Sequence, residues 1–99
     1  MSAYIALLAG ELARAPVSVD AAVVLPSQLR EIEGDVSGLR WSNSWQLGRA
    51  YVLLVGEDGV DSGLYASMSD EGSEVVQLPF PPCTSTREAV RAWAMAVSQ

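Results

Sequence analysis

The sequence of 99 residues contains no histidine and no lysine. Without histidine there is no imidazole to serve as a general base, so a Ser-His-Asp or Cys-His catalytic arrangement is excluded. Without lysine there is no amine for a Schiff base, no phosphate-binding P-loop lysine and no Ser-Lys dyad. Because these absences remove the commonest routes to enzyme chemistry, we predict a protein that is not an enzyme and needs no cofactor.

Cysteine occurs once, as Cys83. A single thiol cannot form an internal disulfide bond, and it cannot supply the several thiolates or histidines of a zinc site, so we predict no metal site. Cys83 shortly precedes a predicted helix, where the helix dipole can lower a thiol pKa. The favoured role for Cys83 is that of a small buried hydrophobic residue. A small enzyme or regulator that depends on this thiol remains an alternative.

Basic residues are scarce, since six arginines face twelve acidic residues and the net charge is −6 at pH 7. Direct binding to nucleic acid is disfavoured, because phosphate neutralisation needs a basic surface. An acidic surface suits a protein partner with a basic surface. No apolar run approaches the roughly 20 residues of a membrane-spanning helix, and no basic residue precedes the apolar stretch 3–9, as a secretory signal requires. We therefore expect a cytoplasmic protein without membrane contact, from a bacterium or encoded by a phage or other mobile element.

Three segments have the apolar spacing of amphipathic helices. Residues 2–15 and residues 27–33 are bounded by helix start and stop signals. Ser85 and Glu88 form a capping box that begins a third helix, which runs almost to the C-terminus. Residues 17–25 alternate like a strand but also suit a short capped helix. The strand is slightly favoured there, and both alternatives stay open.

Four runs between the second and third helices have strand patterning. They are residues 39–47, 50–55, 60–68 and 74–78. Gly48-Arg49 and Asp58-Gly59 are typical of two-residue hairpin turns. The second run is apolar on both faces, which predicts a central strand covered on both sides. The predicted fold is a single α+β domain over residues 1–99, in which an antiparallel β-meander of about four strands packs with an N-terminal and a C-terminal helix.

Two clusters of carboxylates fall on predicted hairpin tips. Acid–base catalysis needs a cleft that separates the pKa values of two carboxyl groups, whereas solvated tips suit contacts with a basic protein. Successive turns of a meander lie at opposite ends of the sheet, about 25 Å apart, which is about three Debye lengths at physiological salt. We therefore predict two separate partner-binding patches. They comprise Glu57, Asp58 and Asp61 at one tip, and Asp70, Glu71 and Glu74 at the other.

Trp41 and Trp45 occupy one face of a strand that is otherwise polar. Exposed tryptophans are favoured interface anchors, although packing of both beneath a helix is the favoured explanation. Asn43 lies between them on the same face and supports an interface, because a fully buried face would leave its amide in need of partners. We keep Trp41 and Trp45 as candidate partner-binding residues and leave core and interface both open.

These features favour a non-enzymatic acidic protein that binds and neutralises another protein, basic or nucleic-acid-binding. Specific forms are a phage anti-defence inhibitor of the anti-CRISPR type, a bacterial immunity protein and an antitoxin. A homo-oligomeric structural or accessory protein of a phage or secretion apparatus is the second class of function. A homodimer is compatible with either class.

Overall fold

The apolar stripe near the N-terminus forms a helix, as its spacing predicts, and the other elements follow along the chain. The computed structural model describes residues 3–14, 16, 23–34, 40–57, 60–70, 72–79 and 85–98. Side chains are described for all of these except 40, 57 and 60–62. The elements are α1 (Ala3–Arg14), α2 (Ser27–Gly34), β1 (Arg40–Leu47), β2 (Ala50–Glu57), β3 (Val60–Met68), β4 (Val76–Leu78) and α3 (Thr86–Ser98). The predicted α+β class, with N- and C-terminal helices and a four-stranded antiparallel sheet, is confirmed.

The sheet is a simple meander in the order β1-β2-β3-β4, and every neighbouring pair is antiparallel. Leu47 pairs with Ala50 across the first hairpin. Gly48 has a φ of 59° there, which is the left-handed conformation that the two-residue turn requires. Residues 58 and 59, predicted as the second hairpin turn, lie outside the described residues.

β2 is the central strand that the sequence predicts, and its two faces contribute to separate cores. Val52 and Leu54 pack with α1 and α3 on one side of the sheet. Leu53 and Val55 pack with Leu29 of α2 on the other side. All four β2 side chains are buried. The sheet is therefore covered on both faces, with α2 opposite the two terminal helices.

α3 begins with the Ser85 half of the predicted capping box. The Glu88 amide donates a hydrogen bond to Ser85 Oγ at 3.2 Å, which satisfies one of the free amides of the first turn. The buried positions of the helix are Ala89, Val90 and Ala94. These small side chains allow α3 to lie against α1, which it contacts more extensively than it contacts the sheet.

β4 begins two residues later than the alternating pattern predicts, because a side chain from α1 enters the β3–β4 pair. Continuing the observed register beyond Ala66 and Val76 would place Met68 opposite Glu74. The Tyr4 hydroxyl lies between these two backbones instead. It accepts a hydrogen bond from the Met68 amide at 3.0 Å and donates one to the Glu74 carbonyl. The tyrosine thus replaces the next ladder hydrogen bond of the sheet.

The ambiguous segment 17–25 is described only from residue 23 onward. Residues 23–25 are neither helix nor strand, and Leu25 is buried in the core beneath α2. Residues 17–22 lie outside the described residues, so their two alternatives remain predictions. None of the described helices combines the length and the apolar character that crossing a membrane would demand.

Candidate partner-binding site

The two acidic clusters adjoin opposite ends of β3. This strand has nine residues and spans about 30 Å. At the β3–β4 end, Asp70 and Glu74 are described and both are exposed, whereas Glu71 lies outside the described residues. At the β2–β3 end, the structure describes only the strand backbone, and no side chain of the predicted patch Glu57, Asp58 and Asp61 is described. The candidate site is accordingly built on the turn between β3 and β4, which we call the acidic turn (residues 69–75).

A side chain of α2 fixes the first half of the acidic turn. Gln28 Nε2 donates hydrogen bonds to the Asp70 carbonyl at 3.2 Å and to Ser67 Oγ at 2.9 Å. Gln28 Oε1 accepts one from the Gly72 amide at 3.3 Å. The Ser73 amide closes the turn on the Asp70 carbonyl at 3.1 Å. Gly72 has a φ of 82°, a conformation that a residue with a Cβ rarely adopts.

Tyr4 of α1 fixes the other half of the acidic turn through the Glu74 carbonyl. Beside it, Ser67 is fully buried, but its hydroxyl is satisfied because it accepts from Gln28 and donates to the Met68 carbonyl at 3.2 Å. Two helices on opposite faces of the sheet therefore hold one turn. Side chains thus hold the described backbone on both sides of residue 71, while the carboxylates of Asp70 and Glu74 face solvent.

A buried carboxylate organises the neighbouring β1–β2 turn. Glu11 Oε1 accepts a hydrogen bond from the Arg49 amide at 3.1 Å. Glu11 Oε2 lies 3.3 Å from Arg14 Nη2 and 3.8 Å from Arg49 Nη2. The Glu11 side chain is 11% exposed, whereas the two arginine side chains are mostly exposed. The Arg49 carbonyl accepts a hydrogen bond from the Ser69 amide at 2.7 Å, and this bond joins the β1–β2 turn to the acidic turn.

The contacts of Glu11 make the stability of the fold depend on pH. The hydrogen bond from the Arg49 amide is the main cause that lowers the pKa of Glu11 below its ordinary value of 4.5. Arg14 lowers the pKa further, whereas desolvation by burial raises it. A lowered pKa in the folded state means that the unfolded chain takes up the proton first as the pH falls. The contribution of Glu11 is therefore complete above pH 4.5 and is lost as the pH falls through the folded-state pKa. We expect Glu11→Gln to flatten the loss of unfolding free energy between about pH 5 and pH 2, as measured by urea denaturation at each pH.

Glu31→Gln is the matched control, because it removes the same charge from the exposed face of α2. The unfolding free energy of this control is measured at the same pH values as that of Glu11→Gln. If the unfolding free energies of Glu11→Gln and the parent fall equally with pH, Glu11 has the same proton affinity in the folded and unfolded chains. That result would contradict the effect expected from the contacts of Glu11 with Arg49 and Arg14.

Trp41 and Trp45 are both half-buried and pack against the core beneath α1 and α3. The indole of Trp41 lies over Gly56, its cross-strand partner, so closely that a Cβ at Gly56 would fall 2.2 Å from the ring. Asn43 lies between the two tryptophans on the same face and is exposed. One side of this tryptophan pair thus contributes to the core, and the other side remains accessible.

The described residues contain no group of three or more histidine, cysteine, aspartate or glutamate side chains that could hold a metal ion. Cys83 lies outside those residues, so the alternative of thiol chemistry stays a prediction from the sequence. The chain has no match among protein-family models, curated proteins or solved structures. Its function must therefore be argued from its own residues.

The charged residues of this site are evident from the sequence, whereas the side chains that position them are not. Tyr4, Glu11 and Gln28 all lie on helices and contact turns that are 38 to 70 residues away in the chain. Glu11 carried a usable signal, because it is the only charged residue that falls among the apolar positions of the first helix. No sequence signal indicates the roles of Gln28 and Tyr4, since polar and amphipathic side chains are common at helix surfaces.

Proposed function

We propose that this chain is a non-enzymatic protein that binds a basic protein surface through the acidic turn. The main support for this proposal is that Gln28 and Tyr4 hydrogen-bond to the backbone of the turn while the Asp70 and Glu74 side chains remain exposed. A rigid binding element loses little conformational entropy when a partner docks. The side chains of such a turn are available for arginine and lysine residues of the partner.

The charge distribution around the turn supports the same proposal. Arg14, at the end of α1, and Arg49, in the adjacent β1–β2 turn, both form ion pairs with Glu11. Within the described part of the chain, no ion pair involves Asp70 or Glu74. Their negative charge is therefore directed to solvent, in a protein whose net charge is already −6. Such a field favours encounter with a basic partner and disfavours an acidic one.

The form of this function that best suits a small acidic domain is inhibition of a basic or nucleic-acid-binding protein. A phage anti-defence inhibitor and a bacterial immunity protein or antitoxin, acting in the cytoplasm, are the specific candidates. In each case we propose that the acidic turn contacts a basic surface of the target, a role that needs no catalytic group. The absence of histidine and lysine from the sequence is consistent with this role.

Removing charge from the acidic turn should slow association without unfolding the protein. The test variant is Asp70→Asn/Glu71→Gln/Glu74→Gln, and the matched control makes the same three-charge change at the opposite tip with Glu57→Gln/Asp58→Asn/Asp61→Asn. A partner captured from host lysate is purified, and its association and dissociation rates are measured at several salt concentrations. We expect the test variant to lower the association rate about tenfold at low salt and to flatten its salt dependence, because rim charges act mainly on encounter.

The control triple variant should retain the rates and the salt dependence of the parent protein, because the two tips are separated by several Debye lengths. Equal losses in both variants would indicate that the net charge matters rather than the acidic turn. Unchanged association in both would exclude either tip as the partner-binding surface.

A further inference from the structure

β1 forms one edge of the described sheet. Among the described residues it pairs with β2 on one side, and no described segment pairs with its other side. It is eight residues long and contains no proline, no acidic residue and a single basic residue, Arg40. Natural proteins usually protect an edge of this length with charged residues, prolines or bulges. β4, the opposite edge, has only three residues.

The hairpin geometry determines which backbone groups of β1 face outward. In a two-residue hairpin the closing pair, here Leu47 and Ala50, exchanges both backbone hydrogen bonds. Hydrogen-bonded and non-bonded pairs then alternate along the strand. Trp45, Asn43 and Trp41 direct their backbone groups toward β2. The amides and carbonyls of the alternate residues, Ser42, Ser44 and Gln46, point away from the sheet.

The sequence of this edge is symmetric about Asn43. Residues 41–45 read Trp-Ser-Asn-Ser-Trp in both directions. If a second copy pairs antiparallel about a two-fold axis at Asn43, Ser42 lies opposite Ser44 of the second copy, and Trp41 lies opposite its Trp45. In this register the residues whose backbone amides and carbonyls point away from β2 lie opposite the equivalent residues of the second copy. An antiparallel ladder requires this match. A shift by one residue would break this match.

We propose that two copies of the chain associate through β1 in this register and form a continuous eight-stranded sheet. The interface is isologous, since the same strand serves both copies. Asn43 then faces its own counterpart across a non-bonded pair, and each amide can both donate and accept. This accounts for an exposed polar side chain between two half-buried tryptophans. The tryptophans form two cross-strand aromatic pairs, which add stability beyond backbone pairing.

The charges of the protein give this dimer a salt dependence of its own. Two chains with a charge of −6 repel each other, and salt screens that repulsion. β1 itself contributes no acidic residue to the interface. We therefore expect the dimer to tighten with added salt. A complex between the acidic turn and a basic partner would weaken, so the two associations can be told apart.

Sedimentation equilibrium of the full chain tests the proposal with Ser44→Pro and Ser44→Thr. Proline removes an outward amide and leaves the β1–β2 ladder intact, so the monomer can still fold. Threonine keeps the amide and is favourable in strands. We expect the parent and Ser44→Thr to dimerise between about 1 and 100 µM, a range that brackets micromolar dissociation constants. Ser44→Pro should weaken the dimer at least tenfold while the circular dichroism spectrum is retained. A monomeric parent, or a Ser44→Pro variant that dimerises as the parent does, would overturn the proposal.

A cysteine placed on the two-fold axis tests the register. In a Cys83→Ser background, Asn43→Cys places two thiols on a non-bonded pair whose Cα atoms are about 4.5 Å apart, which a disulfide bond can span. Oxidised glutathione accepts the two electrons when the bond forms. Ser42→Cys is the matched control, because its thiol lies opposite Ser44 of the second copy and faces the other side of the sheet. We expect rapid crosslinking only at position 43. Equal or faster crosslinking at position 42 would contradict the register.

Discussion

Replacing Leu64 with alanine should lower the free energy of unfolding by about 2–5 kcal/mol, the usual cost of truncating a buried leucine. Leu64 is fully buried. It lies in the middle of β3 and pairs with Leu54 on one side and Leu78 on the other. Removing three carbon atoms there leaves a cavity beside Leu54 and Leu78, whose strand backbones cannot move inward without breaking their hydrogen bonds. We therefore expect a loss in the upper half of this range, measured by urea denaturation.

Leu7→Ala is the matched control for this variant. Leu7 lies on α1 and its side chain is 47% exposed, so its truncation removes much less buried area. Alanine also has the highest helix propensity, which offsets part of the loss. We expect a change of less than about 1 kcal/mol for Leu7→Ala. Similar losses for both variants would mean that Leu64 is not the more deeply buried of the two leucines.

Local patterns in the sequence predicted most of the secondary structure. Alternation identified β1, and a run that is apolar on both faces identified β2 as the central strand. The Gly48-Arg49 turn and the Ser85 cap were predicted because their signals depend on residues only two or three positions apart. These elements follow from short-range physics, which a single sequence displays directly.

Contacts between distant segments were not predictable in the same way. The start of β4 depends on the Tyr4 hydroxyl, which lies 64 residues before the Met68 amide that it contacts. The β2 strand offers two apolar faces, and in the structure α2 covers the face opposite α1. No local pattern specifies that choice, because Leu53 and Leu54 are equally apolar.

The candidate site shows the same division. The sequence shows the charges of Asp70 and Glu74 directly, and the strand patterns on either side of them predict a turn. It did not reveal that Gln28 fixes the backbone beneath them, since a glutamine on a helix surface has many equivalent roles. For Trp41 the sequence offers two alternatives, core and interface, and the half-buried side chain has both a packed and an accessible side.

The contact between Trp41 and Gly56 leads to the second large expected effect. Gly56→Ala places a Cβ 2.2 Å from two atoms of the indole, closer than any real contact, so the ring must shift from its present position. Overpacking of this kind costs about 1–3 kcal/mol. Gly10→Ala is the matched control, because a Cβ at Gly10 meets nothing within 4 Å. Within helix α1 that substitution should stabilise the protein by about 0.5–1 kcal/mol. The same chemical change is thus expected to have opposite signs at the two glycines.

A double-mutant cycle attributes the cost at Gly56 to the indole. In a Trp41→Ala background the ring is absent, so Gly56→Ala should lose most of its destabilising effect. The expected coupling energy is about 1–3 kcal/mol, within the range for residues in direct contact. It is measured from the urea denaturation of the parent, both single variants and the double variant. Additive losses would show that the cost of Gly56→Ala arises in the strand backbone, where the register shifts between Val55 and Gly56. The glycine would then serve the bulge, and the position of Trp41 would not depend on it.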